Sequence, residues 1–431
     1  MAAEMLLQYL WEHRLWEQCD LHTTDGNPIQ VIDPGRRNTD SGPDFFNAKI
    51  IIDGRTWAGN VEIHVRAGDW YRHGHDKDKA YDSVILHVVG EADTDVLRSD
   101  GHTIPQLVLP YTPDYRARYD AMVNNTSSRL PCAAELAAIP PLYMTDWLSS
   151  LGYERLYAKV ERINEALERL NGDWQATAYV TLARALGFST NSDAFERLAY
   201  ATPLRPLLKH RNEPTLLEAA LFGQAGFLDC TVESDADREY LENLRADYKF
   251  LKTKYDLRQP QSLGWKMARM RPSNFPHRRI ATLVALISEG FVFGRHFAHV
   301  TDEESARQLF KYDLNGYWIN HYAFGKPTAY SPRALGQDSV TSLLINAVVP
   351  LLYAYGLHYG NETHLESAVR LLQSLKAESN SIVSCFTEAG IACDDAFTSQ
   401  ALIQLRRNYC EQRKCLYCRV GHRILAAKAK P

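Results

Sequence analysis

"SGPDFFNAKIIIDGRTWAGNVEIHVRAGDWYRHGHDKDKAYDSVILHVV", residues 41–89, is the stretch whose reading decides the fold. Apolar residues alternate or run continuously in "FFNAKIII", "TWAGNVEIHV" and "SVILHVV", the pattern of strands with at least one buried face. Turn signals separate them, at Asp53-Gly54 and in the "GHD" that begins at Gly74. The polar positions of such strands are usually Thr, Ser, Lys or Arg. Here they and the connecting loop carry Asp44, Glu62, His64, His73, His75 and His87, all able to ligate a metal or to move a proton.

The period of two extends outward, through "IQVID" upstream and "TIPQLVLP" downstream, so that strands fill Pro28 to Pro110. Ahead of them, from Ala3 to Cys19, Leu6, Leu7, Leu10, Trp11 and Trp16 recur at three and four, which predicts an amphipathic helix. Beyond "PYTPDYRARYD" and a Pro-flanked linker at Pro131 to Pro141, strand signals nearly vanish. "YMTDWLSSLGYERLYAKVERINEALERL" reads as a helix pair broken near Gly152, and helical period continues with Asn, Asp or Pro starts and Gly stops. These helices share no fixed-length repeat, so a solenoid is not expected. The fold class is α+β and multidomain: a curled mixed α/β sheet domain over residues 1–125, followed by an all-helical domain over 126–431 with a cysteine-rich tail.

A chain of 431 residues exceeds what one hydrophobic core usually serves, and 45% hydrophobic with 23% charged residues is ordinary globular material. A net charge of -4 gives no whole-chain attraction to nucleic acid, so contacts of that kind must come from local patches. The N-terminus lacks the pattern of a secretory signal, and no window reads as the ~18 continuous apolar residues of a membrane span. The expectation is a soluble, cytoplasmic protein with no membrane association. Eight cysteines are too few for a disulfide scaffold.

Alternation places Glu62 and His64 on one face of their strand with Ile63 on the other, and a hairpin across Asp53-Gly54 brings Asp44 beside them. Two converging carboxylates can hold a hard divalent cation, Mg²⁺ or Mn²⁺, and leave positions for water and phosphate. His64 is then placed to orient or deprotonate the attacking water.

This linear order resembles the PD-(D/E)XK nuclease superfamily: helix, strand, strand bearing Asp, strand bearing Glu-x-Lys, helix, strand. The resemblance rests on the helix from Ala3, "GPDF" at Gly42 to Phe45, "VEIH" at Val61 to His64 and the "ILHVV" strand, and covers about the first 110 residues. It implies a restriction-endonuclease-like core, Asp44 and Glu62 as metal ligands, and His64 in the place of the family's lysine. Neutral imidazole supplies a base or a further ligand and becomes a cation only near or below ~pH 6.5. The whole chain also resembles a bacterial family known as domain of unknown function 2851, through "PGRRNTDSGPDFFNA", "GNVEIHV", "DWYRHGHDKDKAYDSVILHVV" and the cysteine-rich tail. That family carries no established activity.

Other segments add candidates. Asp69 is placed to cap a short helix carrying Trp70, His73, His75 and Asp76; the histidines read either as loop residues beside a core Trp or, His75 above all, as groups presented to a phosphate or ion. His87 reads as a core histidine. Arg36, Arg37 and Asn38 precede Asp44 and suit a phosphodiester backbone, or simply offset Asp33, Asp40 and Asp44. Lys266, Arg269, Arg271, Arg278 and Arg279, interleaved with Trp265 and Phe275 on a helix, a Pro-rich turn and a second helix, suit phosphate tracking. Cys410, Cys415 and Cys418, with His422, Cys385 or Cys393 as a fourth ligand, suit structural zinc or an iron-sulfur cluster, or are reduced thiols under the last helix. The leading functional expectation is a metal-dependent nuclease. The alternatives are an inactive nucleic-acid-binding protein on the same fold and a helical protein-interaction scaffold.

Overall fold

Asp53 (φ 48°) and Gly54 (φ 72°) both adopt the left-handed conformation, so the Asp-Gly pair closes a two-residue hairpin between β-strands Phe45–Ile52 and Arg55–Arg66. This is the hairpin expected from the sequence, and the rest of the first unit is built on it. The structure, a computed structural model, describes residues 2–16, 19–38, 40–111, 113–124, 129–290, 300–314, 316–329 and 333–426.

In chain order the first unit holds α1 (Ala2–Glu12), β1 (Leu21–His22), β2 (Pro28–Asp33), β3 (Arg36–Arg37), β4 (Phe45–Ile52), β5 (Arg55–Arg66), α2 (Asp69–Arg72), β6 (Val84–Glu91), β7 (Gln106–Val108), α3 (Pro113–Asn124) and α4 (Ala133–Leu136). The sheet runs β1-β2-β4-β5-β6-β7, with β3 paired to the start of β4. The β1-β2, β2-β4 and β4-β5 pairs are antiparallel, whereas β5-β6 and β6-β7 are parallel. The parallel β5-β6 register sets Glu62 opposite His87 and His64 opposite Val89. Every residue of β6 from Val84 to Val89 is buried, as expected for a central strand covered on both faces.

Helix α1 buries Leu6, Leu7, Tyr9, Leu10 and Trp11 in the core that Phe45, Ile50, Val61, Ile63 and Leu86 also form. It ends at Glu12, short of the expected Cys19. Arg14 is left-handed (φ 53°), Arg14 N–H donates to Trp11 O (3.2 Å) and Leu15 N–H to Leu10 O (2.9 Å), a Schellman stop made without glycine. Asp69 does not cap α2. Gly68 occupies that position and Asp69 instead pairs with Arg72 at 2.9 Å.

The chain divides into a first unit of Met1–Met144 with Arg406–Pro431 and a second of Thr145–Leu405. The boundary expected between 125 and 126 lies outside the described residues. The tail, expected to extend the helical half, belongs to the first unit because Leu416 and Leu425 are buried in the core around α1.

The second unit is helical, with a two-stranded ladder, β8 (His321–Ala323) with β9 (Lys326–Pro327), where only helices were expected. Helix α5 (Pro141–Arg169) runs unbroken through Gly152. A Cβ there would lie 2.4 Å from the Phe397 ring, so this glycine serves close packing and not a break. The stretch before Pro272, expected as a helix, is irregular. Gly264 (φ 72°) and Arg269 (φ 59°) reverse the backbone, while Asn191 pins it by accepting from Lys266 N–H (2.8 Å) and donating to Lys266 O (2.9 Å). The helical run Gln337–Tyr359 has the length and hydropathy of a membrane span, but 72% of its apolar window is buried among the neighbouring helices, as a core helix requires.

Candidate functional site

Asp44 ends the loop that feeds β4, and Asn38 shapes that loop. Asn38 N–H donates to Asp44 O (2.7 Å), and its side-chain amide donates to Ser41 O (3.2 Å) and Pro43 O (3.0 Å). The Asn38 side chain is thus engaged by the turn that positions Asp44.

The two expected carboxylates meet. Asp44 N–H donates to Glu62 Oε2 (3.0 Å), and Ile63 N–H donates to Asp44 Oδ2 (3.0 Å), so each side chain is fixed by the other's strand. Gln8 on α1 donates from Nε2 to Asp44 Oδ1 (2.9 Å). Its Oε1 accepts from Arg37 (2.8 Å), which fixes the orientation of the amide. Arg37 also reaches Glu12 (3.5 Å) and lies over the Tyr417 ring. It therefore acts on Asp44 through Gln8. Arg36 is exposed beside it on β3.

Glu62 Oε1 faces the histidines: His64 Nε2 at 3.6 Å and His75 Nε2 at 3.4 Å. His64 Nε2 also lies 3.1 Å from His73 Nδ1, while His64 Nδ1 lies 2.9 Å from His87 Nε2. Donor atoms of His64, His73 and His75 all fall within 4.8 Å of one another. Two ligands on one ion, each at ~2.1 Å in tetrahedral or octahedral-cis geometry, stand ~3.0–3.4 Å apart, close to the spacing seen here. Behind this group Tyr81 stacks on His75 (centroids 3.8 Å), and Trp70 meets His75 and His87.

Burial dominates the electrostatics of the cluster. Burial, reinforced by Glu62, raises the Asp44 carboxyl to about 7. Burial also raises Glu62 to about 8, against the lowering effect of the Asp44 N–H. His64 is pushed down to about 2, first by burial and then by His87, His75 and His73. His87 is pushed down to about 3 by burial and by His75. Burial lowers His75, opposed by Asp44, Asp78 and Asp76. The pocket disfavours its own ionised carboxylates and favours the neutral, lone-pair-donating forms of His64, His75 and His87, and a bound dication would offset the cost of ionising the carboxylates. Three imidazoles with Glu62 suit Mn²⁺ or another first-row metal better than Mg²⁺, which prefers oxygen.

His73 and His87 also meet the cluster, at His64, and Gln8, which no sequence signal marks, meets it at Asp44. His73 follows α2 and is exposed, and only the left-handed Gly74 (φ 76°) after it turns His75 back to the same spot. His87 is fully buried, as expected of a core histidine, yet it also orients His64 and leaves its own Nδ1 without a partner.

Elsewhere the structure revises the candidates. Arg278 and Arg279, expected at the surface, are buried on internal partners: Arg278 donates to Trp318 O (2.7 Å) and His321 O (3.2 Å), and Arg279 donates to Asn274 Oδ1 (2.6 Å) with Phe188 under its guanidinium. Lys266, Arg269 and Arg271 are exposed. His422 Nδ1 is engaged by Tyr9 OH (2.7 Å) beside His13, so it serves the packing of α1. Cys410, Cys415 and Cys418 do converge, and all cysteines are reduced.

The model of the family described as "Protein of unknown function (DUF2851)" matches residues 4–381. The chain belongs to the DUF2851 family. The match takes in every member of the carboxylate–histidine cluster of this DUF2851 chain and stops short of Cys410, Cys415 and Cys418. No curated protein and no solved structure matches it.

Proposed function

We propose that this protein is a divalent-metal-dependent phosphodiesterase acting on nucleic acid, with a restriction-endonuclease-like core in its first unit. The observation that carries the reading is the interlock of Asp44 and Glu62 with Glu62 Oε1 turned toward His64 and His75. The element order supports it as well: α1, β2, Asp44 leading into β4, Glu62-Ile63-His64 on β5, α2, then β6.

Glu62, His64, His73 and His75 would hold the ion, with Asp44 beside them. A divalent cation in such a place supplies Lewis-acid polarisation of a phosphoryl oxygen and lowers the pKa of water. The chain's own residues do the rest. His87 fixes the ring of His64, Gln8 and Arg37 fix Asp44, and the buried wall of Trp70 and Tyr81 packs against His75. Because His64 remains neutral, it does not replace the positive charge of the superfamily's lysine. Exposed Arg36 is the candidate phosphate contact of the first unit; the second unit, taken by itself, exposes Lys266, Arg269 and Arg271.

The test is cleavage of single- and double-stranded DNA and RNA with Mg²⁺, Mn²⁺ or Zn²⁺, comparing wild type with Glu62→Gln. Cleavage is expected with Mn²⁺, abolished by chelator, and reduced ~10²–10³-fold in the variant. Cleavage that persists in chelator, or at the wild-type rate in Glu62→Gln, contradicts the reading.

A further inference from the structure

The tail thiols have a partner 278 residues earlier in the chain: Cys132, which sits just ahead of α4 in the same unit as the tail. The two segments are tied together, since the Arg406 guanidinium donates to Arg129 O. The tail is shaped to turn its sulfurs inward. Arg413 is left-handed (φ 54°) and its N–H donates to Cys410 O (3.2 Å), reversing the chain between the first and second thiols. A 3-10 turn, Cys415–Tyr417, then carries the chain to Cys418, whose N–H donates to Cys415 O (3.3 Å). The last helix, Arg419–Ala426, lies so close to this turn that a Cβ on Gly421 would stand 2.0 Å from Cys415 O. Cys418 is buried, and the other three thiols are half-buried.

The four sulfurs sense one another. Cys132 lies near enough to interact with Cys418 and Cys415, Cys410 with Cys418, Cys132 and Cys415, and Cys415 with Cys418. Four reduced thiols brought to one place from distant segments, with no disulfide among them, form a donor set for a soft metal.

We propose that Cys132, Cys410, Cys415 and Cys418 together hold a thiophilic metal centre that staples the C-terminal tail to the first unit. This site is independent of the carboxylate–histidine cluster and of the activity proposed for it. Among the described residues no three of these sulfurs lie within 4.8 Å of one another. That is wider than the ~3.8 Å between thiolates on a single tetrahedral zinc at ~2.3 Å. A cuboidal iron–sulfur cluster spreads its thiolates over separate irons and so accepts a wider set of sulfurs than a single zinc does.

The full chain, purified without oxygen from cells supplied with iron and zinc, is assayed for iron, zinc and acid-labile sulfide per chain and for visible absorption. Wild type is expected to carry about four irons and four sulfides with absorption near 400 nm, or about one zinc and no colour if the sulfurs close on a single ion. Cys132→Ser is expected to lose at least about five-sixths of that metal, and Cys19→Ser, which alters an exposed cysteine outside the set, to keep it. Less than about 0.2 centres per chain in wild type overturns the proposal, as does full metal content in a folded Cys132→Ser. Should Cys132→Ser fail to fold, the wild-type metal content and the effect of Cys415→Ser decide in the same way.

Discussion

His64 shows how one residue's surroundings decide its chemistry. On an exposed strand it would titrate near neutrality, but burial and three neighbouring imidazoles push it down to about 2, so it is a lone-pair donor throughout the physiological range. Its direction is set by His87, which makes His87 a positioning residue for the cluster. His87→Ala is expected to weaken Mn²⁺ binding ~10–100-fold with little change in unfolding free energy beyond that of a buried truncation, as read by metal titration beside denaturant melts. His75→Ala removes a donor facing Glu62 Oε1 and is expected to weaken binding at least ~10-fold, whereas His102→Ala, at an exposed histidine away from the cluster, is expected to leave it unchanged. Asp44, Glu62 and His64 were legible because strand alternation alone puts Glu62 and His64 on one face. Gln8 was not, since a lone glutamine inside an amphipathic helix looks like any polar position until Arg37 and Asp44 are seen on its two amide ends.

At the scale of elements, the sheet was readable because its signals are local. Asp-Gly demands a left-handed pair, and continuous apolar runs demand a covered strand such as β6. The misread elements are those where distant packing decides. Arg14 ends α1 without a glycine, Gly152 yields to Phe397 instead of breaking a helix, and the run before Pro272 is held irregular by Asn191. The β5-β6 seam, which sets Glu62 against His87, depends on a close approach of the same kind. A Cβ at Gly59 would stand 2.4 Å from Ile85 Cγ2 and 2.7 Å from Ser83 O. Gly59→Ala is expected to destabilise the first unit by ~1–3 kcal/mol in denaturant unfolding, because neither the strand backbone nor a β-branched neighbour can yield cheaply.

For the molecule as a whole, length and composition announced more than one unit, but not that the tail returns to the first. That return depends on Leu416 and Leu425 finding apolar partners hundreds of residues away. The second unit carries its own pH dependence. Glu218, buried on the helix Pro214–Gln224 and accepting from Tyr240 OH (2.5 Å), has its carboxyl raised by burial from 4.5 to about 7. The unfolded chain gives up that proton near 4.5 and the folded one near 7, so stability falls as pH rises through this window and is flat above it, by at most about 3 kcal/mol. Glu218→Gln is expected to raise the melting temperature at pH 8 and to leave it nearly unchanged at pH 4.5. For the carboxylate–histidine cluster the deciding experiment is a titration of the intact chain with Mn²⁺, following the free ion by electron paramagnetic resonance, in wild type, Glu62→Gln and His64→Ala. One ion bound per chain in wild type, with affinity reduced at least ~10-fold in each variant, is the expected result; no binding by wild type, or equal binding by all three, would contradict a metal centre at this site.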